Sequence, residues 1–474
     1  MTRALDVLVI GGGPAGYIAA ARLGQLGRKA TVVEKEHLGG ECLNRGCIPS
    51  KALIHVSSTY RHLRDHGEEM GLPIAENSFD VGAMQRWKTS VVEKERKGVE
   101  TILKGNGAEW IRGTASFTGP DRAVIESETG KEEVSFQAAI VATGGYHVAL
   151  AGMEPDGKQI LSAREMLELD HVPPRLVVLG GGVSGVELGE HYARLGSQVV
   201  IVEMMPQILP GIERDLVREV ARTLEGMGIR LLTSAKAEGL RKEPAGVTLT
   251  VKTLTGTEEI PGDVLFMTVG KRPETRHLNL EVAQVALNVK GFPVVDDRMA
   301  TSNPRIFAAG DFARPPMLAH KSYREGIVAA EAAAGLPTRW SHQAVPSVIF
   351  TVPEVASVGL TMADCEGKGI TAREARFPYA ALGRAHANHE EKGFVKLVAE
   401  EGTGLVLGVH AVGAACGDYI SEAALAIEMG ATVRDIAGTI HPHPTYGELL
   451  GEVALLWLGE PLHVAVRKSA RGNP

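Results

Sequence analysis

The chain has 474 residues, 44% of them hydrophobic and 23% charged, with a formal net charge of −7 at pH 7. At about 100–200 residues per domain this predicts about two to four domains with substantial cores, and the ordinary charged fraction excludes a largely disordered chain. The negative balance gives no global pull toward nucleic acid or anionic lipid, and no apolar run reaches the roughly 18 residues of a membrane-spanning helix.

The first 20 residues, MTRALDVLVIGGGPAGYIAA, split their apolar run with a glycine cluster and show no signal-peptidase pattern. A secretory leader is therefore not expected, and the four cysteines are too few for a disulfide scaffold. The reducing cytoplasm is the expected setting. Aromatic residues make up only 5% while Gly alone numbers 56, a mix that suits α/β architecture with parallel sheets and close-packed helices.

Residues 8–34, LVIGGGPAGYIAAARLGQLGRKATVVE, read as strand, Gly-x-Gly-x-x-Gly turn (Gly11, Gly13, Gly16), helix and second strand ending in Glu34. Residues 60–110 carry apolar positions at helical spacing among many charges and predict surface helices. Residues 112–137 predict antiparallel strands with Gly turns. AAIVATG at 138–144 predicts a buried strand running into the Thr143-Gly144 turn.

The first motif then recurs. Residues 177–203, VVLGGGVSGVELGEHYARLGSQVVIVE, repeat strand, Gly turn (Gly180, Gly182, Gly185), helix and strand, ending in Glu203. The acid falls 23 residues after the first Gly in both copies. Residues 229–262 predict further antiparallel strands, VLFMTVG at 264–270 a strand ending at Gly270, and RIFAAGD at 305–311 a strand ending at Gly310-Asp311. From about 345 onward the pattern changes to mixed strands and helices, a separate C-terminal domain.

The chemistry of the repeated motif is specific. The first Gly permits a tight strand-to-helix turn, the second admits a pyrophosphate to the backbone, and the third lets helix pack on strand. The pyrophosphate rests on helix N-terminal N–H groups, and the acid accepts from ribose hydroxyls. Two structural turns that bind nothing are the alternative, but doubled context and equal spacing favour two dinucleotide sites, a flavin and a nicotinamide. Glu203 repels a 2′-phosphate, so the second site is expected to take NAD rather than NADP. Asp311 is expected to accept from ribityl hydroxyls, with a helix N-cap as the competing role.

Cys42 and Cys47 lie in LGGECLNRGCIPSK, residues 38–51. Two buried thiols or half a zinc site are possible readings, but Cys365 and Cys416 are isolated and offer no second pair. No metal is expected. A redox-active pair is the sharper reading, because a helix N-terminus or a cation such as Lys51, one helical turn beyond Cys47, favours thiolate.

Together GGECLNRGCIPSK, the doubled Gly motif, ATG at 142–144, MLAHK at 317–321, AAGD at 308–311, PSVIFTVPEVASVGLT at 346–361 and HPHPTYGE at 441–448 resemble the flavin-dependent disulfide oxidoreductases, most nearly their dihydrolipoamide dehydrogenase branch. The resemblance runs over nearly the whole chain. It implies an α/β fold of two Rossmann-like dinucleotide-binding domains and a C-terminal α+β dimerisation domain. The expected division is an FAD domain at 1–147 completed by 276–345, an NAD domain at 148–275, and an interface domain at 346–474.

The resemblance also implies roles. Cys42 is the thiol that exchanges with substrate, and Cys47 the one that contacts the flavin. Lys51 pairs with Glu187 near the flavin. His443, held by Glu448, is the base and acts on the other subunit of a homodimer. Thr143, Gly144, Gly270, Gly310, Asp311 and Ala319 join the cofactor contacts. The implied reaction is oxidation of protein-bound dihydrolipoamide with FAD and NAD. The implied partners are the lipoyl and peripheral-subunit-binding domains of a 2-oxo acid dehydrogenase acyltransferase.

On spacing alone, Thr445-x-x-Glu448 also fits a capping box opening the last helix, and His441 reads as structural. The sequence departs from the family at Val183 and Ser184, where relatives often carry Tyr and Ile, at Gly145, and at Tyr446-Gly447 beside the base. A metal-ion reductase would be expected to carry a C-terminal Cys pair, and the chain ends ARGNP without one. A glutathione-type reductase would prefer NADP. A non-catalytic flavoprotein scaffold is the rival from another class.

Overall fold

The computed structural model describes residues 2–74 and 79–465, so the terminal ARGNP lies outside the described residues. The chain gathers into two compact units. One comprises Met1–Val56, Phe79–Val172 and Leu265–Ser341, the other Ser57–Ser78, Pro173–Val264 and His342–Pro474.

In the first unit, strand Arg3–Ile10 lies parallel to Ala30–Glu34 on one side and to the end of Gly130–Val141 on the other. Ile306–Ala308 extends the sheet beyond Gly130–Val141, and Glu109–Gly119 pairs with Ala30–Glu34. Val7, Val9, Val32 and Ile140 bury one face and Leu8, Ile10, Phe117 and Phe136 the other, as expected of near-continuous apolar strands covered on both sides. Antiparallel turns join Glu109–Gly119, Arg122–Ser127 and Gly130–Val141, matching the strands expected at 112–137. The registers put Ile10 level with Val33 and Val141, and Val141 level with Ala308. Four strands therefore end together, and their following turns open on one edge, where α/β sheets bind ligands.

Helix Val81–Gly105 opens on Asp80, whose carboxylate accepts from the Ala83 N–H at 3.0 Å. It is less of a surface helix than its charges suggest. Lys88 is buried, donates to the Leu167 carbonyl at 3.0 Å and pairs with Glu168 at 2.7 Å. The desolvation of its ammonium is offset by these two partners.

In the second unit, parallel strands Arg175–Leu179, Gln198–Val202 and Arg230–Leu232 carry the helix Val183–Arg194. Lys236–Glu243, Gly246–Thr253 and Gly256–Gly262 form an antiparallel sheet, so the antiparallel strands expected at 229–262 begin only at Lys236, Arg230–Leu232 having joined the parallel sheet. The C-terminal part is a five-stranded antiparallel sheet in the order Ser347–Ile349, Val355–Gly359, Val406–Val412, Phe394–Glu400, Ala372–Pro378. Helices Cys416–Met429, Val433–Gly438 and Glu448–Leu458 share its core with Phe377, Val395, Leu397 and Val409. Buried Lys396 meets Glu213 at 2.9 Å, Asp215 at 3.1 Å and Glu374 at 3.4 Å.

Candidate active site

The four turns of the first unit line a cleft of about 920 Å³. Gly11, Gly13, Glu34, Cys42, Cys47, Thr143, Gly144, Gly310, Asp311 and Ala319 all face it. Gly11 has φ +103°, and a Cβ there would meet the Ala142 carbonyl oxygen at 2.4 Å, so only glycine makes this turn. Helix Pro14–Gln25 begins at Gly13 with no side-chain cap, leaving its first N–H groups for an anion. Gly16 stands behind the cleft rather than on it, and a Cβ there would meet the Gly11 carbonyl oxygen at 1.9 Å. Gly16→Ala must push helix and turn apart. We expect it to cost about 1–3 kcal/mol and to loosen flavin retention. Melting temperature and bound flavin after gel filtration check this; a variant as stable and as yellow as the parent contradicts the packing role.

The second unit repeats the design. Gly180 has φ +112°, and helix Val183–Arg194 begins at uncapped Gly182. In both units the acid does more than the sequence implied. Glu34 accepts from the N–H of Gly12 at 2.8 Å and of Glu36 at 2.9 Å. Glu203 accepts from Gly181 and Met205, each at 2.7 Å. Each carboxylate therefore fixes its own glycine turn and keeps remaining lone pairs for hydroxyls. Gly185 lies within the buried first turns of its helix. Glu187, buried, accepts from the Phe350 N–H at 2.8 Å. It belongs to the second unit and Lys51 to the first. Gly270, at φ +117°, ends the segment after Val264–Met267, and its carbonyl accepts from Val148.

Asp311 is not a helix N-cap. The short 3-10 turn Gly310–Phe312 is capped by Ala309, and Asp311 sits inside it. Burial raises its pKa against the pull of Lys271 and Lys321. Among the described residues the Ser322 hydroxyl approaches it only at 3.5 Å, too long to satisfy it. A half-buried carboxylate facing a cleft in this way suits hydroxyl donors of a ligand. Fully buried Glu325 steadies the turn: it accepts from the Gly310 N–H at 2.9 Å and pairs with Arg314 and Lys321. Ala319 begins helix Ala319–Ala333, again without a side-chain cap.

Cys42 and Cys47 form a disulfide, with Cα atoms 4.7 Å apart. Cys42 lies on the short helix Gly40–Arg45, and Cys47 is the first residue of Cys47–His66. The helix dipole favours negative charge on the sulfur at its N-terminus, so Cys47 is set up to carry a thiolate once reduced.

One group next to the disulfide escaped the sequence reading. Glu41 accepts from His147 Nε2 at 2.6 Å and meets Lys271 Nζ at 3.0 Å. Burial alone would raise its carboxyl, but the His147 hydrogen bond and the Lys271 charge outweigh burial and hold it at about 2. His147 and Lys271 are cross-strand neighbours in the ribbon Gly145–His147 with Lys271–Pro273. No local pattern links the three, so only their charge and proximity to Cys42 could have raised suspicion.

In the second unit, His443 Nδ1 meets Glu448 Oε1 at 2.8 Å. Glu448 Oε2 accepts from the Thr445 N–H at 2.8 Å, but the Thr445 hydroxyl donates to the Pro442 carbonyl instead of capping. The helix starts at Glu448 with Gly447 before it, so only half of the expected capping box forms. The carboxylate serves both roles that competed in the sequence: it orients an imidazole and satisfies a backbone donor. His443 is three-quarters exposed, at 76% for its side chain, and with Nδ1 engaged its Nε2 is the nitrogen left to take a proton. His441 meets Glu422 at 2.9 Å, and that bond raises its pKa against partial burial, a structural role. Tyr446 is clamped by Glu390 at 2.5 Å and Asn388 at 3.2 Å. Val183 is exposed at the first position of its helix.

Comparison with known proteins agrees with this arrangement. Residues 5–326 match the family described as pyridine nucleotide-disulphide oxidoreductase, and 345–454 match its dimerisation domain. A dihydrolipoyl dehydrogenase of Geobacillus stearothermophilus is 42% identical over 462 residues, 98% of each chain. One from Thermus scotoductus is 43% identical over 465 residues, 98% of this chain and 99% of that one. The solved structure of LpdA from Mycobacterium tuberculosis superposes with a TM-score of 0.89 at 27% identity, covering 96% of this chain and 100% of its own. RclA from Escherichia coli, a HOCl-induced flavoprotein disulfide reductase, shares the fold at a TM-score of 0.84 and 24% identity, covering 95% and 99%. The chain belongs to the pyridine nucleotide-disulphide oxidoreductases.

Proposed function

We propose that the chain oxidises dihydrolipoamide to lipoamide and reduces NAD to NADH, with FAD bound in the cleft of the first unit. One observation carries the reading: a Cys42–Cys47 disulfide lies on the same cleft as an uncapped glycine turn and Asp311. The glycine-turn N–H groups would hold the pyrophosphate, Glu34 the ribose, and Asp311 the ribityl chain. Gly180, Gly182 and Glu203 would hold NAD. A metal-ion reductase or a non-catalytic scaffold is not favoured beside relatives that are dihydrolipoyl dehydrogenases over nearly their full length.

The residues divide the work as thiol chemistry requires. His443, oriented by Glu448, takes a proton from a substrate thiol, because only the thiolate attacks well. That thiolate attacks Cys42, forming a mixed disulfide and leaving Cys47 as thiolate at its helix N-terminus. The second substrate sulfur then displaces Cys42, releasing lipoamide and leaving two reduced cysteines. FAD held at the Gly11–Gly13 turn and Asp311 would supply the two-electron chemistry that links the Cys42–Cys47 dithiol, as it re-forms its disulfide, to NAD.

His443 serves the partner subunit's disulfide in this reading, so the working unit is a homodimer. The matched dimerisation domain supports this, as do Leu425 and Met429, exposed one turn apart on helix Cys416–Met429. No helix among the described residues is long and apolar enough to cross a membrane. We place the enzyme in the cytoplasm on its cysteine usage, and with the lipoyl and peripheral-subunit-binding domains of a 2-oxo acid dehydrogenase acyltransferase as partners. Pure holoenzyme given dihydrolipoamide and NAD should form NADH stoichiometrically; flavin-loaded protein that forms none overturns the assignment. NAD should outperform NADP by roughly a hundredfold in kcat/KM, since a 2′-phosphate against Glu203 juxtaposes like charges at several kcal/mol. Equal rates would remove Glu203 from the ribose site.

A further inference from the structure

We propose that His66, Glu69 and His389 form a binding site for a divalent ion of the zinc class, separate from the redox centre. Each offers one ligand atom, and these atoms all lie within 4.8 Å of one another. All three belong to the second unit. The cysteine spacing gave no metal site, and histidines so far apart in sequence gave no pattern to read.

The backbone delivers each ligand separately. His66 ends helix Cys47–His66. The chain then turns back through Met70 N–H to His66 O at 3.0 Å and Gly71 N–H to Glu68 O at 3.1 Å, which fixes Glu69 beside the helix end. His389 follows the helix Gly383–Ala387 at φ +55°, a position that favours glycine. Its ring stacks on His66 with centroids 4.9 Å apart and planes 16° apart. The two rings lie nearly parallel, so their in-plane lone pairs run side by side, and a shared ion requires one imidazole to turn out of the stack. His62, one turn before His66, adds a third imidazole at 5.3 Å between centroids.

Two imidazole nitrogens and one carboxylate oxygen suit Zn²⁺ or Cu²⁺ and disfavour Mg²⁺ and Ca²⁺, which want more oxygen. Three protein ligands leave a fourth position for water. Nitrogen and oxygen ligands sit about 2.0–2.2 Å from zinc, so an ion must draw the three ligand atoms together from their present spread of up to 4.8 Å. The mechanism uses none of these residues. Glu69 and His389 are exposed, which makes the ion exchangeable rather than structural. Asn388 and Glu390 flank His389 and both hold the Tyr446 hydroxyl, so an occupied site steadies the loop that clamps Tyr446.

The test is calorimetric titration of untagged, oxidised holoenzyme with zinc chloride. Keeping Cys42 and Cys47 in their disulfide removes thiolates as competing ligands. One Zn²⁺ per chain should bind, with Kd about 1 µM. His66→Ala and His389→Ala should each weaken it by about a hundredfold or more, since losing even an outer-shell partner costs tenfold to a hundredfold. His386→Ala should bind as the parent does, because His386 is committed to Glu391 at 2.7 Å. Bound flavin and metal-free turnover of the variants should match the parent, which shows that they fold. No uptake tighter than about 100 µM, or uptake unchanged in both His66 and His389 variants, overturns the proposal.

Discussion

Mixing a Cys42→Ser dimer with a His443→Ala dimer, under conditions that exchange subunits, is expected to restore about a quarter of parental dihydrolipoamide turnover. Alone, Cys42→Ser has no disulfide to accept a substrate thiolate and should show no turnover. Alone, His443→Ala should fall by about 10²–10⁴-fold, the usual worth of a positioned base. Half of randomly mixed dimers are hybrids, and each hybrid holds one intact pairing of Cys42 with His443 of the partner subunit. That pairing exists only if the base works in trans. If the base works within its own chain, no hybrid has a complete site, and mixing leaves turnover at the sum of the two variants. Cys47→Ser sharpens the assignment. It should lose the thiolate-to-flavin absorption band of the reduced enzyme while keeping FAD, whereas Cys42→Ser should keep the band. A band that survives in Cys47→Ser would reverse the two thiol roles.

The site was legible in the sequence wherever its chemistry is local. Gly11, Gly13, Gly16 and Glu34 lie within one strand–turn–helix–strand segment, and the second copy at Gly180 to Glu203 repeats its spacing. The positive φ of Gly11 and the close approach of Gly16 to the Gly11 carbonyl are both constraints within that one segment. The cysteines also share one segment, so their redox pairing needed no tertiary information. The Glu41 cluster was illegible because His147 and Lys271 come from two strands far apart in the chain and meet only through ribbon pairing. Buried Lys88 and Lys396 were hidden for the same reason: charge predicts exposure unless partners are known, and their partners are distant. The last helix shows a finer failure. Thr445 and Glu448 have capping-box spacing, but the Thr445 hydroxyl finds the Pro442 carbonyl first, so the helix begins at Glu448, two residues later than that spacing implies.

Arg194→Met should be the most destabilising single change in the second unit, by about 3–5 kcal/mol near pH 8. Arg194 and Glu190 are both almost fully buried, 2.5 Å apart and one turn apart on helix Val183–Arg194. Arg194 also donates to the Ser58 hydroxyl at 2.8 Å, and Glu190 accepts from the Val352 N–H at 3.2 Å. Burial pushes the Glu190 carboxyl up to about 7 despite the attraction of Arg194. An acid raised on folding binds its proton more tightly in the native state. Its contribution to stability is therefore greatest below its unfolded value and falls as pH rises toward and past 7. Without the guanidinium the carboxyl should rise further, leaving a neutral acid at low pH and an uncompensated buried charge at high pH. The variant's loss should thus be small near pH 5.5 and grow through neutrality. A flavoprotein of this size unfolds irreversibly in many cases, so inactivation half-life is the safer measure beside melting temperature. The drop should be roughly 10 °C at pH 8. Adding Glu190→Gln should recover much of it, since the charge that lost its partner is then gone. A loss independent of pH, or one that Glu190→Gln leaves untouched, would place the role of Arg194 in packing rather than in charge compensation.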